Sequence, residues 1–227
     1  GCAINTWTFG VFYAFATALE QMADEFDAGL SGIAAFFSVT TFLFFAVGIV
    51  AGPLADRFGA RRLVALGAFL MGGGLWFTAQ VESLFTGIVI YGLGVGLGIG
   101  CYLVPLSVAT GAWFEKHRTV ALGVNTVGIG LGTLILVPVA EWLIRTAGWR
   151  DAFELMGIGS VIVYGVVAVA CFRPPTPPAS VAASILAARQ AVRRSEFWRL
   201  YLAGFLMSVA LFVPFVFLVQ YAKEQGI

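Results

Sequence analysis

The chain is written in long apolar runs divided by short polar breaks, and the length of those runs leaves few folds open. Seven can be marked out, at about 1–22, 31–51, 63–80, 84–112, 119–143, 151–172 and 197–221. Each approaches the roughly 20 residues a helix needs to cross a bilayer, about twice the length of a membrane-barrel strand. Hydrophobic residues make up 60% of the 227 and charged ones only 11%, whereas soluble domains carry about a quarter charged. With no water in the hydrocarbon to satisfy the backbone, such runs must be helices. The fold class implied is an all-α integral membrane protein with the lipid bilayer as its surroundings. A net charge of +1, with no basic patch interleaved with aromatics, argues against nucleic acid as a partner. Cys2, Cys101 and Cys171 lie inside apolar runs without metal-ligand spacing, so neither a metal nor a cofactor is expected.

The breaks carry the charge, and they share it unevenly. Residues 52–62, 114–118 and 173–199 hold Arg57, Arg61, Arg62, Lys116, Arg118, Arg173, Arg189, Arg193, Arg194 and Arg199, ten of the 13 lysines and arginines. The positive-inside rule therefore puts the loops 52–62, 114–118 and 173–196 in the cytoplasm. Trp113 and Trp198 then fall at the inner interface, Trp142 and Trp149 at the outer one, as an aromatic belt would have them. Only the 173–196 connection is long. It opens on Arg-Pro-Pro-Thr-Pro-Pro, which cannot be helical at its prolines. Beyond them Val181, Ile185, Ala188 and Val192 share a helical face, the pattern of an amphipathic helix lying on the membrane. The organisation expected is a six-span bundle over 1–172, a cytoplasmic linker over 173–196, and a seventh span within 197–227. The chain opens at Gly1 inside one apolar run and ends at Ile227 just past another, so it reads as a truncated piece whose C-terminal half of helices is missing.

One break is more specific than the rest. Gly52-Pro-Leu-Ala-Asp-Arg-Phe-Gly-Ala-Arg-Arg62 resembles the signature loop between the second and third spans of major facilitator transporters, with glycines, acid and bases in register. Three spans later Glu141–Asp151 again combines acid, glycine and arginine at the opposite end, as inverted three-span repeats would place it. Trp113–Arg118 with Val120–Gly123, the Gly148-Trp-Arg turn, the Gly10-Val-Phe entry and Val213–Tyr221 are similar to the monocarboxylate transporter family, in its bacterial members. The arginine in span four and the Gly-Pro pair in span five that mark drug–proton antiporters are absent. The resemblance implies a six-helix bundle of two inverted repeats plus one span of a second half. It further implies alternating-access transport of a small organic anion such as lactate or pyruvate, together with a proton, across a bacterial inner membrane. Exchange of the oxalate/formate type is the alternative within the class, and a non-transporting membrane sensor the alternative outside it. An enzyme is not expected: His-Glu-x-x-His and Gly-x-Ser-x-Gly are missing, and the one histidine, His117, lies in a charged loop.

Candidate residues fall into two groups. For gating and conformational coupling they are Gly52, Asp56, Arg57, Gly59, Arg61 and Arg62 at the inner end. Asp56 is placed to cap span three or pair across the gate, and Gly59 supplies the turn. At the outer end Gly148, Trp149 and Arg150 brace the bundle. For the substrate pathway, Thr6, Gly10, Tyr13, Thr17 and Glu20 share one face of span one. Tyr91, Gly98 and Tyr102 share a face of span four, above the kink expected at Pro105. From these, Tyr13, Thr17 and Tyr102 are the pathway candidates, joined by Asn125 of span five. For Tyr102 and Asn125 the alternative is a hydrogen bond between neighbouring helices, and the same choice holds for the amide of Asn5 in span one. The glycines at 92, 96 and 100, at 94 and 98, and at 123, 128 and 132 are expected to let helices approach closely. No lysine or arginine lies deep in a span. The span-one lysine of animal monocarboxylate transporters corresponds to Tyr13, and their Asp/Arg pair of span eight would lie beyond Ile227.

Overall fold

The computed structural model describes residues 1–114, 116–170, 190, 192–199, 202–203 and 206–207. Among them there is no strand. The chain divides into two compact units, Gly1–Pro178 and Ala179–Ile227. In the first, α1 (Cys2–Glu25), α2 (Leu30–Phe58) and α3 (Ala60–Thr78) are followed by α4 (Leu84–Tyr91), which passes through a π-helical turn at Gly92–Gly96 into α5 (Leu97–Trp113). Then come α6 (Arg118–Ala147) and α7 (Trp149–Ala170). The six rods match the first six expected spans. In the second unit, residues 195–199 are helical and Trp198 Nε1 donates to Val192 O at 2.9 Å. Most of the expected linker helix and seventh span lies outside the described residues.

Length and hydropathy make α1, the α4–α5 rod, α6 and α7 long and apolar enough to cross a membrane. The second rod qualifies when Ala35–Gly48 and Val50–Phe58, bent by 52°, are counted as one span. The third does not qualify because its first turn carries Arg61 and Arg62. Helices also run further than the apolar runs did. Residues 52–58, read from the sequence as part of a loop, are the last turns of α2 with Pro53 inside. The connection itself is one residue, Gly59, at φ 86°. Likewise α6 continues to Ala147 and turns on Gly148 alone, at φ 92°. A side chain strains such a backbone, whereas glycine adopts it freely, and that freedom is what allows so short a connection.

Contacts between helices fix their directions. Gly128 of α6 lies on Cys2, Gly132 lies on Thr6 and Gly10, and Gln21 reaches Ile144, so α1 and α6 run parallel. Gly32 of α2 meets Leu84, Phe36 meets Gly87, Thr40 meets Gly96 and Gly52 meets Val104, so α2 runs parallel to α4–α5. Helix α3 runs antiparallel to both α5 and α7, with Gly67 against Gly98 and Gly72 against Gly157. The arrangement is that of two inverted triplets: α1 embraces the second helix of the other triplet, α2 embraces the first, and the two third helices face each other. It also puts the α2–α3 turn and the α5–α6 turn at one end of the bundle. Arg57, Arg61, Arg62, Lys116 and Arg118 therefore gather there.

Glycines set the spacing. In the fourth rod Gly92, Gly96 and Gly100 face Val39, Thr40 and Val47 of α2, while Gly94 and Gly98 face Gly74 and Met71 of α3. The two interleaved series thus serve two different neighbours. A methyl at Gly72 would come within 2.8 Å of the Gly157 carbonyl, and one at Gly157 within 2.8 Å of the Gly72 carbonyl. Such contacts need bare backbone, since lipid-embedded helices associate through packing and not through hydrophobic transfer. Gly123 departs from expectation: nothing lies within 4 Å of where its Cβ would sit.

Candidate functional site: a buried polar network between two charged ends

Inside the bundle, toward its basic end, polar side chains from four helices meet. Asn5 of α1 donates from Nδ2 to the main-chain O of Asn125 at 2.8 Å and to its Oδ1 at 3.1 Å. Tyr102 of α5 donates its hydroxyl to Asn5 Oδ1 at 2.9 Å. Next to it Thr8 and Tyr164 share a hydrogen bond of 2.7 Å, and the two tyrosine rings meet edge-on with centroids 5.2 Å apart. Every one of these side chains is buried. A buried amide or hydroxyl without a partner costs about 1–3 kcal/mol, so the pairing is what makes polar atoms tolerable at this depth. Trp7 adds a further tie, donating from Nε1 to Ser160 Oγ at 2.9 Å.

The four pathway candidates separate into two settings. Tyr102 and Asn125 belong to the interior network, each bonded to α1. Tyr13 and Thr17 lie half-buried on the face of α1 that also carries Thr6 and the exposed Glu20. Tyr13 packs on the rings of Phe9 and Phe12, and Thr17 Oγ1 donates to Ala14 O at 2.6 Å. Tyr91 does not join Tyr102. The π turn between them adds a residue to the helical register, and Tyr91 sits among Phe15, Phe36 and Phe153. Thr8 and Tyr164 were not singled out from sequence, whereas Asn5, like Asn125, carried the expectation of a partner helix or a substrate. Asn5 and Tyr102 are 97 positions apart, and no local spacing signals such a pair.

The basic end is more open. Asp56 is half-buried in the last turns of α2, while Arg57, Arg61 and Arg62 are exposed and the Arg57 guanidinium lies 5.2 Å over the Phe58 ring. Gly59 occupies the position before α3, and α2 carries Asp56 up to that turn inside a continuing helix.

At the other end the Gly148-Trp-Arg turn ties three helices together. Arg150 Nη2 lies 2.7 Å from Glu25 Oε1, with Nε 3.0 Å from the same oxygen. The remaining guanidinium donors reach the carbonyls of Ala79 and of Val81, the latter at 2.8 Å. Trp149 Nε1 donates to Glu25 Oε2, its main-chain N donates to Gln21 Oε1 at 3.2 Å, and the guanidinium sits 4.6 Å over its ring. Trp149 is thereby buried, 3% exposed, and does not join the aromatic belt expected of it, whereas Trp142 remains 65% exposed. Glu25 and Gln21 are the partners sequence reasoning missed. Their only signal was an acid and an amide closing the first span.

Comparison with known proteins agrees with this architecture. A peptide transporter POT solved in complex with alafosfalin shares the fold, with a TM-score of 0.66 and 20% identity over 95% of this chain and 50% of its own. The riboflavin transporter RibJ of Trypanosoma brucei brucei is 32% identical over 75% of this chain and 31% of its own length. Rat monocarboxylate transporter 3 is 27% identical over 99% of this chain and 47% of its own. The match thus spans 31% to 47% of the length of these curated relatives, which are transporters and not enzymes. Residues 2–227 match the model of the Major Facilitator Superfamily, and with two inverted helical triplets meeting at bare glycine backbone the chain belongs to that superfamily.

Proposed function

We propose that this bundle is the N-terminal half of a secondary active transporter that moves a small monocarboxylate, lactate or pyruvate in size, together with a proton by alternating access. The observation that carries the reading is similarity to monocarboxylate transporters along 99% of the chain. In this reading residues 173–196 are a cytoplasmic linker and 197–227 begin the second half. The basic end faces the cytoplasm of a bacterial cell, as the positive-inside rule requires. Asp56, with Gly52, Arg57, Gly59, Arg61 and Arg62, guards the inner gate, making contacts that break as the halves rock. Gly148, Trp149 and Arg150 keep the outer ends of α1, α3 and α7 moving as one body. Tyr13 and Thr17 offer hydroxyls along the pathway, and Tyr102 and Asn125 act through Asn5 to hold the wall of α1 in place.

A second reading has its own support. RibJ is named for riboflavin, and the described spans hold no buried lysine or arginine to meet a carboxylate; an anion at mid-membrane needs a positive partner. Either that partner lies in the second half or the substrate is a larger, less charged ring system. Uptake of labelled lactate, pyruvate, oxalate and riboflavin by proteoliposomes of the full-length protein separates these. Saturable lactate or pyruvate uptake supports the monocarboxylate reading. Oxalate uptake that requires internal formate, or riboflavin uptake alone, refutes it.

A further inference from the structure

On the outer half of the bundle α1, α6 and α7 leave a lateral groove of about 130 Å³, and what lines it indicates what fills it. Its walls are Val11 and Ala14 of α1, Val139 and Leu143 of α6, and Leu155 and Met156 of α7, with Trp7 as the floor. The floor is fixed. Trp7 Nε1 is turned away to Ser160 Oγ, and Ser160 in turn donates to Met156 O at 2.7 Å. The ring's benzo edge sits against Gly159, where any Cβ would collide with it. No donor is therefore left pointing into the groove, so a ligand with a polar atom at this depth would lose its hydrogen bonds.

The mouth is equally telling. Trp142, 65% exposed, stands one turn from Val139 on the same side of α6, and the next turn carries Arg145 ion-paired to Glu141 at 2.7 Å. An exposed tryptophan followed by charge marks the level of lipid headgroups. On α7, Ile158 and Ile162, three and seven residues on from Leu155, continue the apolar surface on its face.

We infer that the groove is a binding site for one acyl chain of an outer-leaflet phospholipid whose headgroup lies at the level of Trp142 and Arg145. The site is independent of the substrate transported. Moving a chain from bulk lipid into the groove brings no hydrophobic transfer, so the gain is dispersion against a rigid wall, and the preference over ordinary surrounding lipid is about fivefold.

The test is photolabelling of the full-length protein in vesicles of phosphatidylcholine carrying a diazirine at the end of one acyl chain. Adducts are then mapped by mass spectrometry. The expected result is about fivefold more label on residues 136–143 and 155–156 than on the outward face of α3 at Phe69 and Phe77. Ala140→Phe, which fills the groove, removes that excess without changing the α3 label. Leu155→Ala, which takes away part of one wall and cannot overpack the bundle, lowers the excess. Equal labelling of both regions, an excess that survives Ala140→Phe in folded protein, or cross-links from the remainder of the chain into the groove would overturn the proposal.

Discussion

Replacing Arg150 with alanine should loosen the outer end of the bundle by an amount the geometry allows to be worked out. The guanidinium makes two hydrogen bonds to main-chain carbonyls, Ala79 and Val81. A hydrogen bond to a charged group contributes about 1.5–3 kcal/mol when shielded. The ion pair with Glu25 adds less, because the two side chains remain 35% and 42% exposed and exposed pairs contribute about 0.2–1 kcal/mol. Stacking on Trp149 adds about 0.5–1 kcal/mol. Allowing for partial solvation of the freed carbonyls, the loss should be about 2–4 kcal/mol, with a fall of roughly 5–12 °C in the unfolding midpoint in detergent. Arg150→Lys keeps the charge but not the fork, and should lose about half as much. A double-mutant cycle with Glu25→Gln separates the terms: coupling below about 1 kcal/mol is expected, since most of the loss lies with the carbonyls. A midpoint within 2 °C of the parent for Arg150→Ala would refute the idea that this turn fastens α1, α3 and α7 together.

Two glycines two residues apart, on opposite faces of α6, give a matched pair: Gly132→Val should abolish the folded bundle, because its Cβ meets the Thr6 carbonyl. Gly130→Val, with nothing within 4 Å, should leave the size-exclusion profile unchanged. Tyr102→Phe leaves Asn5 Oδ1 without its donor and should lower stability by about 1–3 kcal/mol. Tyr13→Phe should raise the apparent Michaelis constant for uptake, read from concentration-dependent uptake kinetics; a thermal shift assay reads the Tyr102→Phe loss. For sidedness, Arg61→Cys should react with an impermeant maleimide only from the cytoplasmic side and Gln80→Cys only from the other. Both labelling from one side would contradict the helix directions.

What could be read from the sequence was periodic or local. Six helices followed from the lengths of the apolar runs, and the glycine series of the fourth rod from its spacing, although not its division between α2 and α3. Gly59 announced a turn, but the charges around it suggested a loop where the helix continues; arginines at a membrane face end the hydrophobic signal without ending the helix. The π turn at Gly92–Gly96 was hidden in that same glycine series, since residues without side chains leave no periodicity to shift. The Asn5–Asn125–Tyr102 network and the Glu25–Arg150 clamp were invisible for another reason. Each joins residues roughly 100 or more positions apart, and only helix directions bring them together.

Lactate accumulation by the full-length protein in proteoliposomes, driven solely by an imposed pH gradient, tests the central claim most directly. Vesicles alkaline inside should concentrate labelled lactate above the external level, and a proton ionophore should collapse that accumulation. Uptake that ignores the gradient, or proceeds only when a second anion leaves, would contradict proton-linked monocarboxylate transport.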